Sequence, residues 1–189
     1  MPRHPDPQLE ERILNAAQKL LSKGAEEALT MRAVAKRAGT NTPAVYRRFR
    51  NRQEIVWALL RRLQYESSEA VRSSQSPEEA CQSFLDFALR HPHEYELFYR
   101  YAHQLRRPAK SGVALREYRP TMKVMEDKLA EHLGGCPEDH ARLSLALWAL
   151  THGTAMILIT KSIPAEHEPE LRSAFSVTVR TILANSSRP

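Results

Sequence analysis

Residues Thr30 to Phe49, TMRAVAKRAGTNTPAVYRRF, constrain the fold most, because twenty positions hold a short helix, a glycine turn and an arginine-bearing second helix. Thr30 can cap the first helix by accepting from a free backbone N–H, and Gly39 can take the left-handed conformation that ends it. Thr42-Pro43 reads as the cap and first residue of the next helix. Ala33, Val34, Ala35 and Ala38 give a small apolar face, which Val45 and Phe49 can cover at i and i+4. Thr42, Pro43, Ala44, Tyr46, Arg47 and Arg48 are then left facing outward. Small groups at the helix start and long donors behind them suit a helix entering a major groove, with its first turn on base edges and its arginines on phosphates. The alternative is an exposed basic turn that binds nothing.

Charge bears on that choice. The net charge is +6, yet residues 1 to 65 carry 13 Lys and Arg against 6 Asp and Glu, and residues 66 to 189 carry 15 against 16. All the excess basicity lies with the two-helix segment. A polyanion is its natural partner, since each phosphate neutralised releases counterions. The nearly neutral remainder must do something else.

The chain of 189 residues, 42% hydrophobic, suffices for one compact domain or a small one joined to a larger one. Its two cysteines, Cys81 and Cys136, and the polar start MPRHPDPQLEER fit a reducing cytoplasm and argue against secretion. The longest apolar run, Leu145 to Ile159, is broken by Thr151, His152, Gly153 and Thr154 and falls short of the ~20 residues that span a bilayer. It reads as a buried helix or an interface, with no membrane partner.

Neither sustained alternation nor an Asn-Gly hairpin turn is present, so an all-α fold of about nine helices is expected. The first helix should run from Pro7 to Ser22 on an apolar stripe of Ile13, Ala16, Ala17, Leu20 and Leu21, with Gly24 as its stop. Asn51-Arg52-Gln53-Glu54 resembles a capping box opening a helix to Ser73 that carries Ile55, Trp57, Leu59, Leu60 and Leu63. Ser76 and Pro77 begin a helix to Arg90 with Cys81, Phe84, Phe87 and Ala88. Pro92 to Leu105 is an aromatic helix holding Tyr95, Phe98, Tyr99 and Tyr101, and 106 to 112 a mobile loop. A further helix, starting or kinking at Pro120, ends before Gly134-Gly135. Pro137 opens a long helix to Ser162, and Pro169 opens the last, with Leu171, Phe175, Val179, Ile182 and Leu183. The division that follows is a basic helix-turn-helix domain at 1–52, a connecting helix at 53–73, and a nearly neutral helical domain at 74–189.

The spacing Gly39, Ala44-Val45-Tyr46, Phe49, Arg52, Ile55, within a basic three-helix start, resembles the TetR family of bacterial transcriptional regulators over residues 9 to 60. Further on, Trp148, His152 and Gly153 resemble the signature of one group of C-terminal domains in that family. The resemblance implies an all-α homodimer, paired through its last two helices, that reads a palindromic double-stranded DNA operator and is released or rearranged by a small-molecule effector. It implies that Thr42, Pro43 and Ala44 approach base edges, that Tyr46 and Arg47 approach the sugar-phosphate backbone, that Arg32 reaches in from the preceding helix, that Arg52 matches a phosphate-contacting lysine, and that Asn41 and Arg48 belong to the same DNA-binding set. Two departures stand out: Ala44 where the family usually has threonine or serine, and Arg48 where it has histidine.

Phe84, Phe87, Phe98, Tyr101, Met122, Met125, Trp148, His152 and Met156 fall on the helices that line the family's effector cavity, and such a lining suits an apolar or flat aromatic ligand. The plain alternative is ordinary core. His152 reads as a hydrogen-bonded core histidine or part of a dimer interface. His91 and His93 point opposite ways on a helix and Cys136 has only His140 nearby, so neither a metal nor another cofactor is expected. The cysteines read as two buried free thiols rather than a redox pair. With six glycines, no phosphate-cradling loop and no acid/base pair, catalysis is not expected. Two competing readings remain: an all-helical carrier or enzyme with a nonspecific basic N-terminus, and a nonspecific nucleic-acid or membrane-surface binder.

Overall fold

A computed structural model describes residues 6–22, 26–105 and 119–186. Those residues form nine α-helices and no strand, in agreement with the all-α expectation. The helices are α1 (Leu9–Leu21), α2 (Met31–Arg37), α3 (Thr42–Tyr46), α4 (Arg52–Arg72), α5 (Pro77–Arg90), α6 (Pro92–Leu105), α7 (Pro120–Leu133), α8 (Ala141–Ile159) and α9 (Glu168–Ser186). The expected helix stop at Gly24 and the loop at 106–112 lie outside the described residues.

The chain divides into two compact units, residues 1–63 with 93–105 and residues 64–92 with 106–189. In the first, α1 packs on α2 and α2 on α3, around Ile13, Ala17, Leu29, Val34 and Val45, each fully buried. Arg62 of α4 fastens α1 in this unit by donating to Asn15 Oδ1 at 2.7 Å and to Gln18 Oε1. Glu10 and Glu11 in the first turn of α1 and Lys19 in its last complement the helix dipole.

In the second unit α5 packs on α7, α8 and α9, α7 on α8, and α8 on α9. The core joins Leu85, Leu129, Leu147 and Ala155, all fully buried, to Phe175 and Val179 of α9. Polar ties accompany it: Lys128 Nζ donates to the carbonyls of Ser74 (2.6 Å) and Arg72 (3.2 Å), placing a cation at the C-terminal end of α4. Ser68 and Thr121 share a hydroxyl contact at 3.1 Å.

Several boundaries differ from expectation. The turn after Cys136 is a 3₁₀ segment, Pro137–His140, before α8 begins at Ala141. The Asp139 carboxylate accepts from the Cys136 N–H at 2.9 Å, which holds the tighter turn. Helix α8 ends at Ile159 rather than Ser162, and α9 starts at Glu168, after a 3₁₀ turn at Ala165–His167. Gly134 and Gly135 end α7 as expected, with φ of 81° and 80°. Among the described residues one helix, Pro137–Ile159, is long and apolar enough to cross a membrane, but it is the element on which α5, α7 and α9 pack.

Candidate nucleic-acid interface and effector pocket

The helix-turn-helix is built by caps more than by length. Thr30 Oγ1 accepts from the Ala33 N–H at 3.1 Å and opens α2. Gly39, at φ 66°, closes it: the Gly39 N–H reaches the Lys36 carbonyl (3.4 Å) and the Thr40 N–H the Ala35 carbonyl (3.0 Å), so two orphan carbonyls are satisfied. Asn41 Oδ1 then accepts from the Ala44 N–H at 2.9 Å and opens α3. The cap is therefore Asn41, and Thr42 is the first helical residue, which corrects the reading of Thr42-Pro43 by one position. Asparagine and threonine both suit a cap; extended backbone at Asn41 (ψ 158°) decides between them.

Val45 and Phe49 are buried beneath α3 as the i, i+4 pair required. Ala44 is also buried, 4% exposed, so it does not face outward as expected. It shares the inner side of a five-residue helix with Val45, and its methyl lets α3 lie close on α2. Pro43, Tyr46, Arg47 and Arg48 remain exposed, with Thr42 half-exposed beside them. Arg32 projects into solvent from the first turn of α2, and Arg52, half-buried, is the first residue of α4. Asn51 Oδ1 caps α4 through the Glu54 N–H (3.0 Å), while Glu54 Oε2 accepts from Arg50 N–H (2.7 Å), one residue before the cap. Ser76, Glu79 and Gln75 repeat that shifted box at the start of α5.

Asp6 joins the site without a sequence motif to mark it. Its carboxylate pairs with Arg12 at 2.7 Å and accepts from the Gln8 N–H at 3.0 Å, while its carbonyl accepts from Arg48 Nη2 at 3.1 Å. Arg12 Nε also donates to the Ala38 carbonyl at 3.3 Å. Asp6, ahead of α1, is thus tied directly to Arg48 just past α3 and, through Arg12, to Ala38 at the end of α2. Arg12, Asn15, Lys19 and Arg37 line a basic groove of about 400 Å³ alongside. The i, i+7 spacing of Arg12 and Lys19 on the polar face of α1 was the available signal.

The second unit holds a cavity of about 20 Å³, room for roughly one water. Of the nine expected ligand residues, Phe84, Met122, Met125 and Trp148 line it, together with Val71, Cys81, Thr121, Ser144, Leu147 and Thr151. His152 lies parallel to Trp148, with 5.4 Å between ring centroids and 3° between planes. Burial, and after it the charge of Arg119, pushes the His152 pKa below its usual value. Phe87 is buried against His91 at 4.9 Å, and Met156 is half-buried further along α8. Phe98 and Tyr101 belong to α6, whose residues from His93 on group with the first unit. Phe98 meets Tyr99 edge-on at 5.3 Å.

Cys81 is a wall residue that the ligand reading had left aside. Burial raises its thiol pKa to about 12, against an opposing contact with the Thr151 hydroxyl, so it is protonated at neutral pH. Cys136 is exposed, contrary to the expectation of two buried thiols, because it sits in the turn ahead of α8 rather than within it. Among the described residues no group of three metal-ligating side chains converges.

A capped helix-turn-helix with arginines outward, followed by an α-helical body, defines a DNA-binding transcriptional regulator. Residues 13–59 match the family "Bacterial regulatory proteins, tetR family", and residues 78–182 match "Tetracyclin repressor-like, C-terminal domain". The chain belongs to the TetR family. No curated protein matches it. Among solved structures it is similar to the putative regulatory protein SCO4313, with 20% identity, a TM-score of 0.72, and coverage of 96% of this chain and 100% of that one. A protein of unknown function from Rhodococcus sp. RHA1 gives 20% identity, a TM-score of 0.70 and full coverage of both chains. TetR from Acinetobacter baumannii AYE gives 19% identity, a TM-score of 0.64 and 96% coverage of each; a variant of it was solved with minocycline. At these identities the likeness is one of fold.

Proposed function

We propose that the protein is a cytoplasmic, effector-responsive repressor that binds a palindromic operator as a homodimer. The observation that carries the reading is the outer face of α3, where Thr42, Pro43, Tyr46 and Arg47 stand clear of a helix fixed by the Asn41 cap. In this reading Thr42 and Pro43 approach base edges, Tyr46, Arg47 and Arg32 the sugar-phosphate backbone, and Arg52 a phosphate at the start of α4. Ala44, being buried, acts by setting how closely α3 packs on α2.

Two faces support pairing and effector binding. Leu145 of α8 is 41% exposed and Val177 of α9 is 51% exposed, large apolar surfaces suited to a second copy through the last two helices. Two-fold pairing presents two recognition helices to half-sites about 34 Å apart. The cavity behind Trp148 suits an apolar or aromatic effector, which acts by binding one arrangement of the dimer more tightly than another. Residues 1–52 serve DNA, 53–73 connect, and 74–189 take the effector and the partner.

A protection assay on DNA flanking the gene, at near-physiological salt, tests this. The expected result is a discrete palindromic footprint that Arg47→Ala abolishes or weakens uniformly across sequences, with the salt slope reduced by about one. Uniform coating without a footprint would reject operator recognition. A mass near the 21.6 kDa of one chain at micromolar concentration would reject the dimer.

A further inference from the structure

Arg12, Asn15, Ala16 and Lys19 form one stripe on α1, at spacings of three and four, and share the lining of a groove of about 400 Å³ with Arg37 and Ala38 at the end of α2. Three of these lining residues are cations and none is an acid. The undescribed parts of this unit, residues 1–5 and 23–25 and the side chains of 102–105, include Arg3, His4, Lys23 and His103 but no Asp or Glu. The three cations are not equally committed. Arg12 is spent on the fold, through the Asp6 carboxylate at 2.7 Å and the Ala38 carbonyl at 3.3 Å. Lys19 and Arg37 are exposed, and among the described residues neither side chain has an ion pair or a hydrogen bond. Asn15 accepts from Arg62 through its Oδ1 at 2.7 Å, which leaves its NH2 as the donor available to the groove. A wall of cations and donors calls for an anion.

The groove adjoins the recognition helix. Arg48, just past α3, donates to the carbonyl of Asp6, whose carboxylate holds Arg12, the first residue of the stripe. From Arg12 to Lys19 the stripe covers about 10 Å of helix axis, the rise of about three phosphates along one strand. A small anion would occupy part of that length, whereas a phosphodiester backbone can follow all of it. We propose that the groove seats the DNA backbone beside the base pairs read by α3, with Lys19 and Arg37 on phosphates, Asn15 donating to a phosphate oxygen, and Arg12 positioning the wall. This rests on the operator reading above and extends the contact onto adjoining duplex that carries no base readout. Affinity gained there depends on charge and salt rather than on sequence, one released counterion set for each phosphate neutralised.

Hydroxyl-radical footprinting and salt titration of the full-length protein on the DNA flanking its gene test this. Lys19→Gln combined with Arg37→Gln should abolish sugar protection beside each half-site and keep the protection under α3. Between 50 and 200 mM salt the parent should lose about tenfold more affinity than the double variant, the effect of two phosphates. Lys123→Gln with Lys161→Gln, two exposed lysines of the second unit, removes the same charge and should leave both readings as in the parent. The urea midpoint should not move, since neither Lys19 nor Arg37 ties the fold; should it fall, the two single variants serve instead, each expected to lower the salt slope by about one. Flank protection and slope unchanged in the double variant, or a slope lowered equally by the control pair, overturns the groove and leaves operator recognition standing. If the parent gives no discrete footprint, operator recognition fails, and the same salt titration on a random duplex decides the groove alone: a shallower slope in the double variant supports it and equal slopes overturn it. Inorganic pyrophosphate bound by the parent and lost in the double variant, with equal DNA slopes, assigns the groove to a small anion and overturns the proposal.

Discussion

Helices α2 and α8 end in the same hydrogen-bond pattern with different residues at the decisive position. After α2, Gly39 sits at φ 66°, and the N–H groups of Gly39 and Thr40 close on Lys36 and Ala35. After α8, Lys161 sits at φ 52°, and the N–H groups of Lys161 and Ser162 close on Leu158 (3.3 Å) and Ile157 (3.0 Å). Glycine takes that conformation freely, whereas a residue with a Cβ is strained there. The difference follows from what else holds each helix. Helix α2 has seven residues and depends on Thr30 and Gly39 for its ends. Helix α8 has nineteen, with Leu147, Thr151, Ala155 and Leu158 buried, and that burial offsets a strained stop. The DNA-reading unit is fixed by backbone chemistry, the body by packing.

The largest effect should come from the body's packing. Leu147→Ala removes a fully buried side chain and should destabilise by about 2–5 kcal/mol, read from the urea midpoint. A loss under about 1 kcal/mol would mean that the α5, α7 and α9 contacts hold α8 without that centre. In the head the corresponding weak point is Gly39, where a Cβ would meet no atom within 4 Å, so Gly39→Ala isolates backbone strain. It should cost roughly 1–2 kcal/mol and weaken DNA binding with it. A neutral outcome would break the contrast between the two helix ends.

Next comes the cap of α3. Asn41→Ala should cost about 1 kcal/mol, while Thr42→Ala should change stability by only a few tenths and act on DNA affinity instead. The reverse ranking would restore Thr42 as the cap.

That pair shows where the sequence was readable and where it was not. Gly39, Gly134 and Gly135 announced helix ends because only backbone freedom explains a glycine between apolar stripes, and the buried set Ile13, Ala17, Val45 and Phe49 followed from spacing alone. The Asn41 cap was ambiguous because Asn, Thr and Ser compete for the role, and only backbone ψ separates them. Ala44 is buried against expectation because a five-residue helix has too few positions to fix its inner face by periodicity. The end of α8 was missed because Lys161 carries no turn signature, and Cys136 because a 3₁₀ turn hid behind a proline-led helix pattern. In the site, the outward arginines were legible from charge; Asp6 was not, since its partners lie up to 42 positions away in sequence.

Lys161→Gly should move the other way from Gly39→Ala. Relief of strain at φ 52° is partly cancelled by the greater freedom glycine gives the unfolded chain, which leaves a gain of about 0.5–1 kcal/mol. Calorimetry should show a small rise in Tm. A fall would place the helix end under some constraint other than backbone sterics.

The smallest effect tests whether the head is tied by charge as well as by caps. The hydrogen bond from Arg12, and after it the Gln8 N–H, holds the Asp6 carboxyl below its ordinary value of 3.8. A carboxyl with a lowered folded pKa is protonated first in the unfolded chain as pH falls. Its contribution is therefore fully present above 3.8 and is lost as pH drops through the lower folded value. Asp6→Asn keeps an oxygen for the Gln8 N–H but removes the charge, so it separates cap from ion pair. Parent and variant should differ by a constant at pH 5 to 7, and the gap should close below about pH 4. Both side chains of the Asp6 and Arg12 pair are 42% exposed, so added salt should narrow the gap at neutral pH. A gap that persists unchanged in acid would assign Asp6 to the turn before α1 alone and leave Arg12 held by the Ala38 carbonyl.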